Sequence, residues 1–405
     1  MDLIIDYLHD DRKTLQSCSV LCRALVASAR YHLFETVVVN RRNFKKAKSI
    51  LVRKAPHLLA SVRSLTLEGL NDPQEKTVDR LRDLQDGKDL RPLTHTFIHD
   101  IAPRAVNVSH LGMKDVPLNG AVVAALAAAL PHVHTLTIFD CWFRSNADFD
   151  RLVRSHPLVH TVRVGRLSSL YGMTPPGQEL PIGPPLLLPS LKISEAYSPS
   201  PCTMMPWLAG HADPEHFTYT LYRVSQIPTL NNSIFAMPAL QHLHLVYYRW
   251  RYNAADLEEV QDAPAMLGLA PRAPATITTL TLDGKLESLL LVVYTLALLD
   301  VHGFAALRTI NVLVHVVAED VANLAPHVWA AVDCALVALP ALAAVRFANT
   351  CKDTAHVAAG RRAIVQRLPA LRARKILTGL WALVLGRAVV LGRLVFLRTC
   401  RGIEG

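Results

Sequence analysis

The apolar positions of this chain repeat one short unit. With Φ for an apolar residue, the pattern Φ-x-x-Φ-x-Φ occurs as VRSLTL (62–67), VHTLTI (133–138), VHTVRV (159–164), LQHLHL (240–245), ITTLTL (277–282), LRTINV (307–312) and LAAVRF (342–347). Alternation over its last residues marks a strand with one buried face. TVVVN (36–40) is β-branched and reads as an earlier strand. PSLKIS (189–194) and FTYTLYRV (217–224) are poorer copies. Pro131, Pro157, Pro238 and Pro340 each stand two residues ahead of a copy. Proline cannot donate to a ladder and ends a preceding helix, so it suits the turn between helix and strand.

Between copies the pattern turns helical, in GAVVAALAAAL (120–130), ADFDRLVRS (147–155) and VWAAVDCALVAL (328–339). Copies starting at 133 and 159, 277 and 307, and 307 and 342 are 26, 30 and 35 residues apart. Strand, loop and helix at a period near 30 predict an α/β solenoid. VHTLTIFDCWF (133–143) sets Val133, Leu136, Ile138, Cys141 and Phe143 at the positions of a leucine-rich repeat, with Cys141 packing in the turn after the strand. Other copies lack the Cys/Asn position, so the repeats are degenerate and irregular.

Residues 1–35 follow a helical pattern instead. Leu3, Ile4, Ile5, Tyr7 and Leu8 make a short first helix, closed by the polar HDDRKT. Asp11 or Thr14 can cap a second, on which Leu15, Cys18, Leu21, Cys22 and Leu25 recur at three- and four-residue steps. A third runs over roughly 26–33. Three short helices sharing an apolar face make a small bundle that needs support from the next element. The segments expected are therefore a helical domain over 1–40, degenerate repeats over 41–375 and a tail over 376–405.

Charge and composition narrow this picture. About half of the chain, 51%, is apolar, which rules out a disordered chain. The net charge of +10 is concentrated in RRNFKKAKSILVRK (41–54), with seven Lys or Arg and no acid, and in 361–405, with ten against Glu404. The rest is mildly acidic, so no broad nucleic-acid-binding face is expected. The first run reads as an amphipathic helix with a solvated basic side. Seven scattered cysteines and no cleavable signal peptide point to a reducing compartment, cytoplasmic or nuclear. Residues 173–206 hold nine prolines and read as an insertion. In the tail the longest uncharged apolar run, 376–386, is too short for a stable membrane span.

DLIIDYLHDDRKTLQSCSVLCRALVASARYHLFETVVV (2–39) resembles an F-box, in the form common in basidiomycete fungal proteins. The matching residues are Leu3, Ile5, Leu8, Leu15, Cys18, Ser19, Leu21, Cys22 and Arg23, then Tyr31, Leu33 and Phe34. The Leu-Pro-x-Glu-type segment usual before the first helix of that family is not found, and Leu25 stands where a tryptophan is frequent, so the reading expects an N-terminally truncated F-box. An F-box followed by degenerate leucine-rich repeats implies a substrate-recognition adaptor of an SCF-type (Skp1–cullin–F-box) ubiquitin ligase. Leu3, Ile5, Leu8, Leu15, Cys18, Leu21, Cys22 and Leu25 would then contact a Skp1-like adaptor or form the F-box core. The repeats would hold a target protein, and no catalysis or cofactor is expected of this chain. The alternative is a leucine-rich-repeat scaffold with no ubiquitin link.

Other chemistries find little footing. No P-loop, G-x-G-x-x-G, G-x-S-x-G or H-E-x-x-H occurs. Cys18 and Cys22 could share a metal, but two further ligands are missing, and the spacing suits two small side chains on a buried helix face. His95/His99, His132/His134 and His242/His244 form close pairs without a triad-completing acid. Outward strand positions such as His134, Thr137, Arg163, His244 and Thr281 are the candidates for target contact.

Overall fold

In a computed structural model of the chain, the residues described are 11–21, 23–40, 42–68, 94, 97–143, 146–165, 168–169, 186, 188–194, 212–221, 230, 233–234, 237–247, 276–285, 306–315, 326–349 and 354–377. They form a mixed α/β protein around an eleven-stranded sheet. Its strands are β1 (Thr36–Asn40), β2 (Ser64–Glu68), β3 (His110–Lys114), β5 (Thr135–Phe139), β7 (Thr161–Gly165), β9 (Ser190–Ser194), β10 (His216–Leu221), β11 (His242–Tyr247), β12 (Thr279–Lys285), β13 (Thr309–His315) and β14 (Ala344–Asn349). Every neighbouring pair is parallel, and spatial order follows chain order throughout. The short strands β4 (Pro117–Leu118), β6 (Trp142–Phe143) and β8 (Ser168–Ser169) build a second sheet just after three of the main ones.

The repeated unit explains the register. Its middle apolar residue is in step across the sheet: Leu65, Leu111, Leu136, Val162, Leu191, Phe217, Leu243, Leu280, Ile310 and Val345 are successive partners. All are buried, as are the last apolar residues two positions on. A slip of one residue would turn each such row to the opposite face, so this burial fixes the pairing. The third strand also carries the unit, as VSHLGM (108–113), with Val108, Leu111 and Met113 buried. PSLKIS also lies in the sheet, so the Pro-rich stretch 173–206 contains a strand of the main array and is not wholly an insertion. The strand β1 likewise places 36–40 in the sheet, apart from the helices before it.

Helices cover the apolar face. These are α3 (Phe44–Lys48), α4 (Gly120–Ala129), α5 (Asn146–Arg154), α6 (Pro326–Val337), α7 (Thr354–Arg367) and α8 (Pro369–Ala373). Val122, Leu126, Phe149, Leu152, Trp329, Leu336 and Leu371 join the strand residues in one continuous core. Asn119 caps α4 by accepting from the Val122 N–H. Asp333 on α6 accepts from the Ala370 and Leu371 N–H groups at the start of α8, at 2.8 and 3.0 Å. The four prolines expected in turns all lie in turns. Within the basic run, α3 is continued by a wider π-helical stretch (Ser49–Lys54), with Phe44 and Leu51 buried and Lys45, Lys46 and Lys54 exposed. Ile376 accepts from the Val345 N–H, and Leu377 bridges to Val345, so the start of the tail lies along the last strand. The remainder of the tail, 378–405, lies outside the described residues; among those described, no helix is long and apolar enough to cross a membrane.

At the other end lie α1 (Arg12–Leu21) and α2 (Arg23–Glu35), with a small core of their own. The chain makes one long second helix here, where a short one over 26–33 is the expectation from sequence. Asp11 is the cap: it accepts from the Lys13 and Thr14 N–H groups and the Thr14 hydroxyl. The Thr14 bonds foremost hold its carboxyl below the ordinary carboxylate range.

Candidate functional site

Two surfaces follow from this arrangement. The first is on the helix pair. Leu15 and Ala29 are its buried core, with Cys18, Leu25 and Leu33 packed partly against them. Leu21 does not share that face: it is 77% exposed, and its neighbour Val20 is 83% exposed. The reason is angular. Six residues at about 100° each leave Leu21 about 120° short of two full turns from Leu15. Tyr31 on α2 is also outward, at 38%. Burying an exposed Val or Leu side chain is worth about 1.5–3 kcal/mol, so Val20 and Leu21, and Tyr31 on the second helix, are apolar groups that a covering protein would stabilise. Leu3, Ile5, Leu8 and Cys22 lie outside the described residues.

The second surface is the polar face of the sheet. The residue between the two last apolar positions of each unit points away from the core. Across successive strands these are Thr66, Gly112, Thr137, Arg163, Lys192, Thr218, His244, Thr281, Asn311 and Arg346. Four of the five sequence candidates, Thr137, Arg163, His244 and Thr281, therefore stand in one row. His134 does not. It precedes β5, in the connection where its carbonyl accepts from the His160 N–H, and its ring stacks on His160. His132 also precedes the strand, so the 132/134 pair is not one face of a strand. His242 and His244 do share a face, whereas His95 lies outside the described residues.

Arg163 and Lys192 are direct register partners, which sets two cations side by side. Burial holds the Arg163 guanidinium below its ordinary pKa. Burial first, and then Arg163, do the same to the Lys192 ammonium, with Asp283 opposing. Among the described residues, no hydrogen bond or ion pair reaches the Arg163 guanidinium. Like charges directly opposite destabilise a strand pair, so the sheet here holds a positive potential that an external anion would relieve. His110 lies close by; burial foremost lowers its pKa, and its Nε2 lies 3.1 Å from the Thr137 hydroxyl. Farther along, His244 Nε2 lies 3.8 Å from Asp283 Oδ2. That contact is not an ion pair near neutral pH. Burial and then the Lys192 charge push the His244 imidazole down to about 4, while burial raises Asp283.

Cys141 has a structural task. It is fully buried after β5, donates to the Phe139 carbonyl at 3.3 Å, and burial pushes its thiol up to about 12. A thiol so protonated is no nucleophile. The residue before it, Asp140, has φ 51°, and Asp115 in the preceding turn has φ 56°. Aspartate tolerates this left-handed region better than most side chains. Each then donates its N–H to the next strand, Asp115 to Phe139 and Asp140 to Gly165.

No family model and no curated protein matches this chain. The two surfaces offer exposed apolar side chains on a helix pair with a small core of its own, and a polar row on the sheet with two adjacent cations.

Proposed function

We propose that this chain is the substrate-recognition adaptor of an SCF-type ubiquitin ligase, its N-terminal helices being an F-box that docks a Skp1-like protein within a cullin complex, and its sheet a degenerate leucine-rich-repeat solenoid that holds a target protein. The observation that carries the reading is the exposed trio Val20, Leu21 and Tyr31 on a helix pair whose sequence resembles an F-box. Exposed apolar side chains of this kind suit a protein-docking face. The single-period sheet supports the second half, because leucine-rich repeats present strand residues to partners. On this reading Thr137, Arg163, His244 and Thr281 belong to the target surface, and Arg163 with Lys192 favours an acidic stretch of the target.

Leu21 allows a clean test, because it is exposed and its replacement leaves the core intact. The tagged full chain, expressed in fungal cells, should co-purify the Skp1-like adaptor and its cullin. Leu21→Asp should reduce adaptor recovery at least about tenfold, as expected for an interface anchor worth more than about 1.4 kcal/mol. Equal recovery with wild type and Leu21→Asp, or none with either, contradicts docking through this patch. A target retained without any adaptor would instead favour a binding scaffold with no ubiquitin link.

A further inference from the structure

Beside the row of Arg163 and His244, the starts of β10 and β11 gather a different set of side chains. Glu215, His216 and His242 are the one group of three such residues among those described that could share a metal ion. The sequence pairs His242 with His244 by spacing; the fold pairs it with His216, 26 residues earlier. His216 and His242 are register partners on parallel strands, so their side chains leave the same face about 4.8 Å apart. Their rings stack with centroids 4.2 Å apart and planes within 3°. Glu215 Oε1 is 3.9 Å from His216 Nε2, and both side chains are about half exposed, 47% and 50%.

The backbone under this group is fixed. The Glu215 carbonyl accepts from the N–H groups of Gln241 and His242, both at 3.0 Å, which ties the two strand starts together. The Glu215 and His216 side chains above it are about half exposed to solvent. One ligand atom from each already lies within 4.8 Å of the others. A tetrahedral zinc site with bonds of about 2.0–2.2 Å needs its ligand atoms about 3.3–3.5 Å apart.

We propose that Glu215, His216 and His242 bind a zinc ion that clips β10 to β11 and leaves a coordination position open to water or to a ligand from outside. Two imidazole nitrogens and one carboxylate with an open position form a familiar zinc ligand set. Calcium and magnesium need more oxygen ligands than this group offers. The other stacked pair, His134 and His160, has centroids 5.6 Å apart and belongs to no such group among the described residues, which makes it an internal control.

The full chain should be titrated with zinc by calorimetry and with cobalt(II) by absorption. The expected result is one tight equivalent, with cobalt d–d bands and no thiolate charge-transfer band. Glu215→Gln, His216→Asn and His242→Asn should each weaken that equivalent by at least the about 10–100-fold that even outer-sphere changes cost. The His134→Asn, His160→Asn double variant should bind as wild type. Glu215→Gln alters an exposed side chain, so its loss of zinc with an unchanged circular dichroism spectrum separates binding from folding. No tight equivalent, a thiolate band, or wild-type affinity in the three variants would overturn the site.

Discussion

Replacing Arg154 by methionine should lower stability by about 3–5 kcal/mol, read as a fall in the urea midpoint at unchanged slope. Asp150 lies on the inner side of α5, with its side chain 2% exposed, and the Arg154 Nε donates to its Oδ2 at 2.7 Å. Its other oxygen, Oδ1, has no hydrogen-bond partner among the described residues. Among the described residues, Arg154 is thus the partner that keeps this buried carboxylate tolerable. Methionine preserves most of the apolar stem and removes only the guanidinium. The carboxylate is then left buried, charged and without its partner. Pairing the change with Asp150→Leu should recover most of the loss, because a buried ion pair exchanged for well-packed apolar groups is often neutral or better. A single variant as stable as wild type would mean that Asp150 finds another donor.

The second large effect is on acid stability, through His244. Its folded pKa is pushed down to about 4, against about 6.5 unfolded. Between these values the unfolded chain binds a proton that the folded chain refuses. The unfolded state therefore holds more protons, and stability falls as pH falls through this window. The contribution is fully present above about pH 6.5, and up to about 3 kcal/mol is lost by pH 4. Other groups titrate in the same range, so the difference between wild type and His244→Gln isolates this one. Urea unfolding of both from pH 7 to pH 4 should show the wild type losing more stability than the variant. Parallel pH profiles would mean that His244 is charged in the fold, with Asp283 overriding burial and Lys192.

Much of the fold was legible because one short apolar unit dictates it. Val133, Leu136 and Ile138 announce a strand, and the same spacing around Leu243 or Ile310 places the others. The third strand was hidden by Gly112 and Met113, which lack the β-branched character of its neighbours, although the spacing was intact. At the end of α1, three- and four-residue steps admit Leu21, but two three-residue steps from Leu15 carry it about 120° off the buried face. Along a single strand the candidate site was also legible, since alternation sends Thr137, Arg163, His244 and Thr281 to the polar face. The joining of Arg163 to Lys192, and of His216 to His242, was not, because register between distant strands is set by the packing of the whole apolar face. The burial that shifts His244 has the same origin.

The adaptor reading rests on the separation of two surfaces, and binding of a purified Skp1-like protein tests it most directly. Calorimetric titration of that protein into the full chain should give saturable one-to-one binding. Leu21→Asp should abolish it, and Arg163→Glu, on the remote polar row, should leave it unchanged. No binding by the wild type, or equal binding by wild type and Leu21→Asp, would contradict the assignment of the N-terminal helices as the docking element.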